Sequence, residues 1–242
     1  MVKKGLKRKI FKCIKQRLPV ELGVIPGSIP VPFFGNMETA NTATVSINPS
    51  DIEFCNVRGE KRFCDRNELG VDDNRVLNKK QCQKVYDSLI NYFNKNPYNW
   101  FQKLQGFAGV LFESSYKDGT MVNLDICPWA TAKKWRRLTK TEQDNLVSNY
   151  DLLKKILTSK EKIFDYVYVN GSEARERLKQ LGIRFETVKK HPVKKVSEIY
   201  GVKLDNGTRL IGMSQYIGGG HYNPSDADKG TLISAMKNFL KD

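Results

Sequence analysis

Histidine is nearly missing from this chain, long apolar runs are absent, and acidic residues are far outnumbered by basic ones. Only His191 and His221 occur, and the five cysteines (Cys13, Cys55, Cys64, Cys82 and Cys127) are scattered, odd in number and form no C-x-x-C pair. With so few imidazoles and no paired thiolates, neither a structural zinc site nor an iron–sulfur cluster is expected. The thiols read as reduced, as in a cytoplasmic protein. No run of about 18 apolar residues exists, so no membrane-spanning helix is expected. The amino terminus, MVKKGLKRKIFKCIKQRLPVELG, lacks both a continuous apolar core and a small-residue cleavage site, and does not read as a secretory signal.

What is present is positive charge. Lys and Arg number 41 against 26 Asp and Glu, a formal net charge of +15. Self-repulsion of that size disfavours compactness, and a polyanionic partner is a common reason to tolerate it. Nucleic acid and an anionic membrane surface are the two candidates. Residues 1–18 read as a basic helix or arm in which Ile10, Phe11, Ile14 and Leu18 form one apolar face. Packed on the body of the protein, its basic face would be solvated; the alternatives are a strand-tracking arm or a helix lying on a membrane. Residues 19–242 read as a single domain acting as a monomer, with no obligate protein partner evident.

Strand and helix patterns alternate along the chain. TATVSI, 42–47, is a small and β-branched strand, followed by a charged irregular loop from Asn56 to Asn78. KKQCQKVYDSLINYFNKN and NWFQKLQGFAGVLF carry helical apolar spacing, and TMVNLDI is a second strand ending at Cys127-Pro128. Thr139-x-x-Glu142 is a capping box opening the next helix. FDYVYVNG is a third strand, SEARERLKQLG a helix capped by Ser172, and IRFETVKK a fourth strand. A hairpin across Asp205-Asn206-Gly207 and a terminal helix complete the pattern. This order implies an α/β fold: a three-layer α/β/α sandwich around a mostly parallel sheet.

Strand ends carry the polar chemistry. Ile47-Asn48-Pro49-Ser50 closes the first strand, Asn123 and Asp125 lie in the second, and Gly218-Gly219-Gly220-His221-Tyr222-Asn223-Pro224-Ser225 precedes the last helix. In open α/β sheets, ligands bind outside the carboxyl ends of the strands. Each Asn-Pro is also a turn dipeptide, and Asn223-Pro224-Ser225 can equally be a helix cap. The repetition, INPS early and YNPS late, is the informative feature; two rigid proline turns with serine hydroxyls and backbone N–H groups suit phosphate contact.

In these motifs and their order the chain resembles the uracil-DNA glycosylase superfamily, from about Pro30 to the carboxyl terminus. SINPS is similar to the strand-end G-x-[DN]-P motif in its Asn form, that of mismatch-specific and thymine glycosylases, with Ser46 in place of the usual glycine. HYNPSDADKG is similar to the N-P-S loop that leads into a late helix, and VNLDICPWATAKKW suits the base-reading strand between them. The resemblance implies a uracil-DNA glycosylase-like fold and a DNA partner, with no metal or nucleotide cofactor. It gives Asn48 the task of orienting the water that attacks C1′, and His221 that of stabilising charge on the leaving base. Phe63 would stack on the flipped base, with Asn123 or its rival Asp125 reading the pyrimidine edge. Pro49, Ser50, Asn223, Pro224, Ser225 and Lys229 would contact the sugar-phosphate. For His221, Asn123 and Asp125 a purely structural role stands beside the functional one. His221 lies two residues before the position at which the family carries its histidine, and Asp226 to Asp228 put acid where relatives place a wedge.

No lysine stands at a nucleophile position in these motifs, so hydrolysis without a lyase step is implied. Lys133, Lys134, Arg136 and Arg137, beside Trp129 and Trp135, form a candidate strand-binding patch; the other reading is an exposed basic loop pinned by two core tryptophans. Substrates within the superfamily range from deaminated bases to hypermodified cytosines of phage DNA attacked in antiviral defence, and a non-catalytic nucleic-acid-binding module of the same fold is the competing class.

Overall fold

The computed structural model describes residues 4–54, 61–148, 150–218 and 222–241. The elements run α1 (Lys4–Ile14), β1 (Phe33–Phe34), β2 (Thr42–Ser46), α2 (Arg66–Leu69), α3 (Lys79–Ile90), α4 (Trp100–Leu104), α5 (Val110–Phe112) and β3 (Met121–Asp125). They continue α6 (Lys140–Val147), α7 (Leu152–Leu157), β4 (Tyr166–Asn170), α8 (Ser172–Gln180), β5 (Glu186–Val193), β6 (Val196–Lys203), β7 (Arg209–Met213) and α9 (Asp226–Lys241). A π-helical turn, Gln105–Gly109, joins α4 to α5.

The fold is α/β, with helices flanking one seven-stranded sheet of order β1-β3-β2-β4-β7-β6-β5. The expected parallel pairing holds at the centre, where β4 runs parallel to both β2 and β7. At one side the sheet is antiparallel, β7 to β6 and β6 to β5, so it is mixed. The cause is connection length: Leu204 N–H bonds Thr208 O at 2.9 Å across the tight Asp205-Asn206-Gly207 turn, and a short turn can join only antiparallel neighbours.

Two compact units share the chain: one of Met1–Glu38, Ile47–Tyr98 and Leu124–Leu153, the other of Thr39–Ser46, Asn99–Asn123 and Lys154–Asp242. In the first, α1 packs against α3 through Ile10 and Ile14, both fully buried, while Phe11 is half-buried with its ring 6.2 Å from that of Tyr86. The basic amino-terminal helix is thus docked by its apolar stripe, as an amphipathic helix must be to gain stability from packing. The sequence signal for α3 was stronger than apolar spacing alone: Asn78 and Gln81 form a reciprocal capping box. The Thr139–Glu142 box opens α6 as expected.

In the second unit, β2, β4 and β7 are buried almost throughout, which is why they read as small, β-branched and aromatic runs without alternation. Ser172 proves to be the first residue of α8 and not its cap. Gly171, at φ 89, holds the cap position, and the Ser172 hydroxyl donates to Ser214 O at 2.8 Å.

Among the described residues, no helix is long and apolar enough to cross a membrane. Cys13, Cys64, Cys82 and Cys127 are buried free thiols, and Cys55 lies outside the described residues.

Candidate functional site

In the first unit the INPS turn is built by three separate fixings. Ile47 O accepts from Cys127 N–H at 2.8 Å, extending the line of β2 by one bond. Pro49 is buried, and the Ser50 hydroxyl accepts from Ile52 N–H at 3.3 Å, capping a short helical turn Asp51–Glu53. Between them the half-buried Asn48 aims its amide nitrogen at Pro49 O (3.1 Å), Trp129 O (3.2 Å) and Thr131 Oγ1 (3.3 Å).

That set of partners fixes which way the amide faces. Carbonyl oxygens only accept, and the Thr131 hydroxyl already donates to Lys133 O at 2.7 Å, so Asn48 must present its donors there. Its carbonyl oxygen consequently points the other way, and no described residue donates to it. An amide oxygen so held can accept a hydrogen bond and orient a water or hydroxyl; it is too weak a base to remove a proton.

The same bonds tie the turn to the basic stretch. Trp129 is buried with Leu18, Val24, Cys127, Leu138 and Leu146, and Trp135 packs against this cluster half-buried. Between and after the tryptophans, Lys133, Lys134, Arg136 and Arg137 are all exposed. Lys133, Lys134 and Arg137 have no ion pair with any described residue. The second sequence reading, a basic loop pinned by core tryptophans, therefore describes the structure, and the two readings are compatible: the pinning is what displays the charges.

Beneath the turn lies a group that sequence reasoning missed. Glu53 is 1% exposed, and its carboxylate accepts from the Tyr92 hydroxyl at 2.7 Å; that hydroxyl in turn accepts from Tyr98 N–H at 2.9 Å. Burial pushes the Glu53 pKa up to about 7, against the downward pull of the Tyr92 hydrogen bond and the Arg62 charge. Arg62 stands nearby with its guanidinium 5.7 Å from the centre of the Tyr98 ring and a buried Nε that has no partner among the described residues. A signal was available, since Ser50-x-x-Glu53 has capping-box spacing. Neither half of the box forms: the Ser50 hydroxyl accepts from Ile52 N–H, Glu53 N–H donates to Ser50 O at 3.2 Å, and the glutamate side chain turns inward to Tyr92.

The remaining predicted residues fall elsewhere. Phe63 is 2% exposed, its ring 6.5 Å from Phe34 and 5.9 Å from Phe54, edge to face in both cases. It offers no open face on which a base could stack and is a core residue here. In the second unit Asn123 is likewise buried: its carbonyl oxygen accepts from Thr44 at 2.9 Å and Ser46 at 2.8 Å, and Thr44 pairs with the Tyr116 hydroxyl at 2.6 Å. The group expected to read a base thus satisfies hydroxyls inside the sheet. Asp125, in the first unit, is 1% exposed, and its backbone N–H donates to Pro32 O at 3.1 Å. Ser46, which stands in place of the usual glycine, is one of the hydroxyls that donate to Asn123.

In the second unit, His221 lies outside the described residues. Gly218 and Tyr222 pair in an isolated antiparallel bridge, and Asn223 is exposed while Pro224 is buried. Ser225 caps α9: its hydroxyl accepts from Asp228 N–H at 3.2 Å, and its carbonyl from Lys229 N–H at 2.8 Å. Lys229 is half-buried on that first turn, and Asp226 and Asp228 share it, so two carboxylates compete with a phosphate for the positive end of the helix. Gly218 is closely approached by Trp100: at φ 121 a Cβ would overlap the indole nitrogen, and Trp100 in turn stacks on Tyr216 at 6.1 Å. Gly218→Ala is expected to destabilise the protein by about 1–3 kcal/mol, read by urea unfolding. Adding Trp100→Ala should recover part of that cost. Undiminished loss in the double variant would show that backbone strain alone is responsible.

No protein-family model and no curated protein matches this chain. The chemistry must therefore be argued from the residues. The first unit brings together an oriented amide acceptor and a display of exposed cations, chained to each other by the Asn48–Trp129–Thr131 bonds. Among the described residues no cluster of His, Cys, Asp or Glu is arranged to hold a metal ion.

Proposed function

We propose that the chain is a monofunctional DNA glycosylase with a three-layer, uracil-DNA glycosylase-like fold. It flips a modified or deaminated pyrimidine out of the helix and hydrolyses its N-glycosidic bond. The observation that carries this reading is the orientation of Asn48: its donors are consumed by Trp129 O and Thr131 Oγ1, leaving the carbonyl oxygen as an acceptor at the end of β2. In that role it holds a water against C1′ of the extruded nucleotide. Water oxygen bonds to C1′ as the C1′–N bond breaks; the bonding pair leaves with the base, one proton of that water passes through solvent to the departing base nitrogen, and the products are the free base and an abasic sugar. Extrusion is required because neither C1′ nor the base edges are reachable in the stacked duplex. The exposed Lys133, Lys134, Arg136 and Arg137 supply phosphate contacts that hold the strand during extrusion.

A hypermodified cytosine of phage DNA is the substrate we favour, with uracil or mismatched thymine as the second choice. The burial of Phe63, Asn123 and Asp125 takes three base-reading candidates out of the open, which suits a roomier site better than a tight uracil pocket. The competing class, a binding module without catalysis, would share the basic stretch and use the Asn48 bonds to brace the 129–131 loop, but would leave the outward amide oxygen without a task. Mass spectrometry of bases released from a panel of genomic DNAs separates them, the panel to include phage DNAs with modified cytosines, uracil-containing DNA and a thymine mismatch. Release of one base class with matching abasic sites is expected. Release of none, by protein that still binds DNA, would establish the binding module instead.

A further inference from the structure

The β5–β6 ribbon carries a concentration of charge that nothing in its own folding requires. Arg184, Lys189, Lys190, Lys194 and Lys195 are all exposed, and none has an ion pair with a described residue. Between residues 184 and 197 the only acid is Glu186. Glu198, opposite Lys190, is spent on Arg175 at 2.5 Å and on the Thr187 hydroxyl at 2.5 Å. Lys194 and Lys195 form the two-residue tip, since Val193 pairs with Val196. Two-residue hairpin turns select Gly or Asn because their favoured forms need positive φ. Neither tip lysine has it: among described non-glycine residues only Glu113 and His191 do. Turn chemistry therefore does not account for the lysines.

The tip is also held in place. Gln215 Nε2 donates to Lys195 O at 2.6 Å, and the Ser214 hydroxyl accepts from Ser197 N–H at 3.0 Å. A braced ribbon presents its cations without first having to order itself, which is what favours binding.

We propose that this ribbon is a second nucleic-acid contact, laid along the phosphate backbone of a DNA duplex. Three observations select that partner. β5 is the edge strand, but its register shifts twice, His191 sits at φ 44 and Pro192 follows, so it is a poor template for a further protein strand. The large apolar side chains that stand exposed, Val20, Val76 and Val110, lie on other elements, so the ribbon lacks the apolar anchor of a membrane-surface binder. Its phenyl and phenol rings, Phe185 and Tyr200, meet each other edge to face at 5.4 Å, so the one fully exposed ring of the ribbon is the His191 imidazole, short of the row of stacking platforms that a single strand requires. A two-stranded ribbon is also of a width that duplex grooves accept. From Lys189 to Lys194 the chain reaches at most roughly 17 Å at about 3.3 Å per residue, less where the bulge shortens it, and a duplex presents one phosphate charge per ~1.7 Å of axis. The ribbon's role goes beyond the glycosylase reading and stands whether or not the chain cleaves a base.

The test is fluorescence anisotropy with a labelled random-sequence duplex, comparing wild type with K189Q/K190Q/K194Q/K195Q and with K79Q/K80Q/K95Q/K160Q, which removes four exposed lysines elsewhere. The ribbon variant is expected to bind ~100-fold more weakly at about 50 mM salt. The difference should shrink toward about 200 mM, with the slope of log affinity against log salt shallower by about 0.9 for each phosphate that the variant no longer neutralises. The control variant should weaken by less than about threefold. K194Q/K195Q alone should give an intermediate weakening, which keeps the test decisive should the fourfold variant melt early. Equal weakening in ribbon and control variants, or wild-type affinity in the ribbon variant, would overturn the proposal. So would a greater effect on single-stranded oligonucleotide than on duplex, or an effect confined to vesicles of phosphatidylcholine with phosphatidylserine.

Discussion

Asn48→Ala is expected to slow single-turnover base release by at least ~100-fold, the scale of losing control over a reacting water, while duplex affinity stays within about twofold. The separation follows from how the residue is held. Its amide nitrogen bonds inward, to Trp129 O and Thr131 Oγ1, and its carbonyl oxygen bonds to no described residue. In the proposed function the affinity comes from lysines and arginines that the substitution does not touch. Alanine also deletes the bonds to the 129–131 loop, so some loss of stability accompanies it, and a thermal melt must show the variant folded at the assay temperature. Asn48→Asp refines the test. It keeps an acceptor toward the sugar but turns a second oxygen toward two carbonyls and a hydroxyl whose proton is already committed. That repulsion should lower stability by about 1–3 kcal/mol, while base release stays above that of the alanine variant. Release at the wild-type rate by Asn48→Ala would sink the role given to this residue.

Glu53 should make the protein less stable as pH rises from about 4.5 to 7. Its folded-state pKa is raised to about 7 from an ordinary value of 4.5, principally by burial. Below the lower value both states are protonated and there is no penalty. Between the two, the unfolded chain releases the proton and the folded one keeps it, so the unfolded state gains; above the higher value the penalty is constant. The interval corresponds to about 3 kcal/mol. Urea unfolding across this range should show the decline in wild type and a flatter profile in Glu53→Gln, whose neutral amide can still accept from Tyr92. Parallel profiles in the two proteins would mean that Glu53 ionises freely or that Arg62 compensates it fully.

Both predictions arise within one seven-residue segment, Ile47–Glu53, and they show how far sequence carries. That a strand ends there in a rigid turn was legible, because Asn-Pro-Ser is turn chemistry whatever surrounds it. The choice between turn and reactive group was not, because it depends on Trp129 and Thr131, far along the chain, returning to meet the amide. Glu53 escaped for a related reason. Its spacing from Ser50 satisfies a local rule, and a local rule has no knowledge of Tyr92. Phe63 and Asn123 suited a base pocket by type and by place along the chain, but packing against Phe34 and Phe54 holds the one, and bonding to Thr44 and Ser46 the other, in the interior.

Sequence alone determined the alternation of strands and helices, the capping of α6, the hairpin at Asp205-Asn206-Gly207 and the excess of positive charge. These depend on near neighbours or on composition, and near neighbours are present in any stretch of chain. Tertiary structure alone decided which polar side chains are consumed and which are left to act. A hydrogen bond or a buried face is shared between residues that only folding brings together, and at Asn48 that sharing turns a strand-end turn into an oriented acceptor.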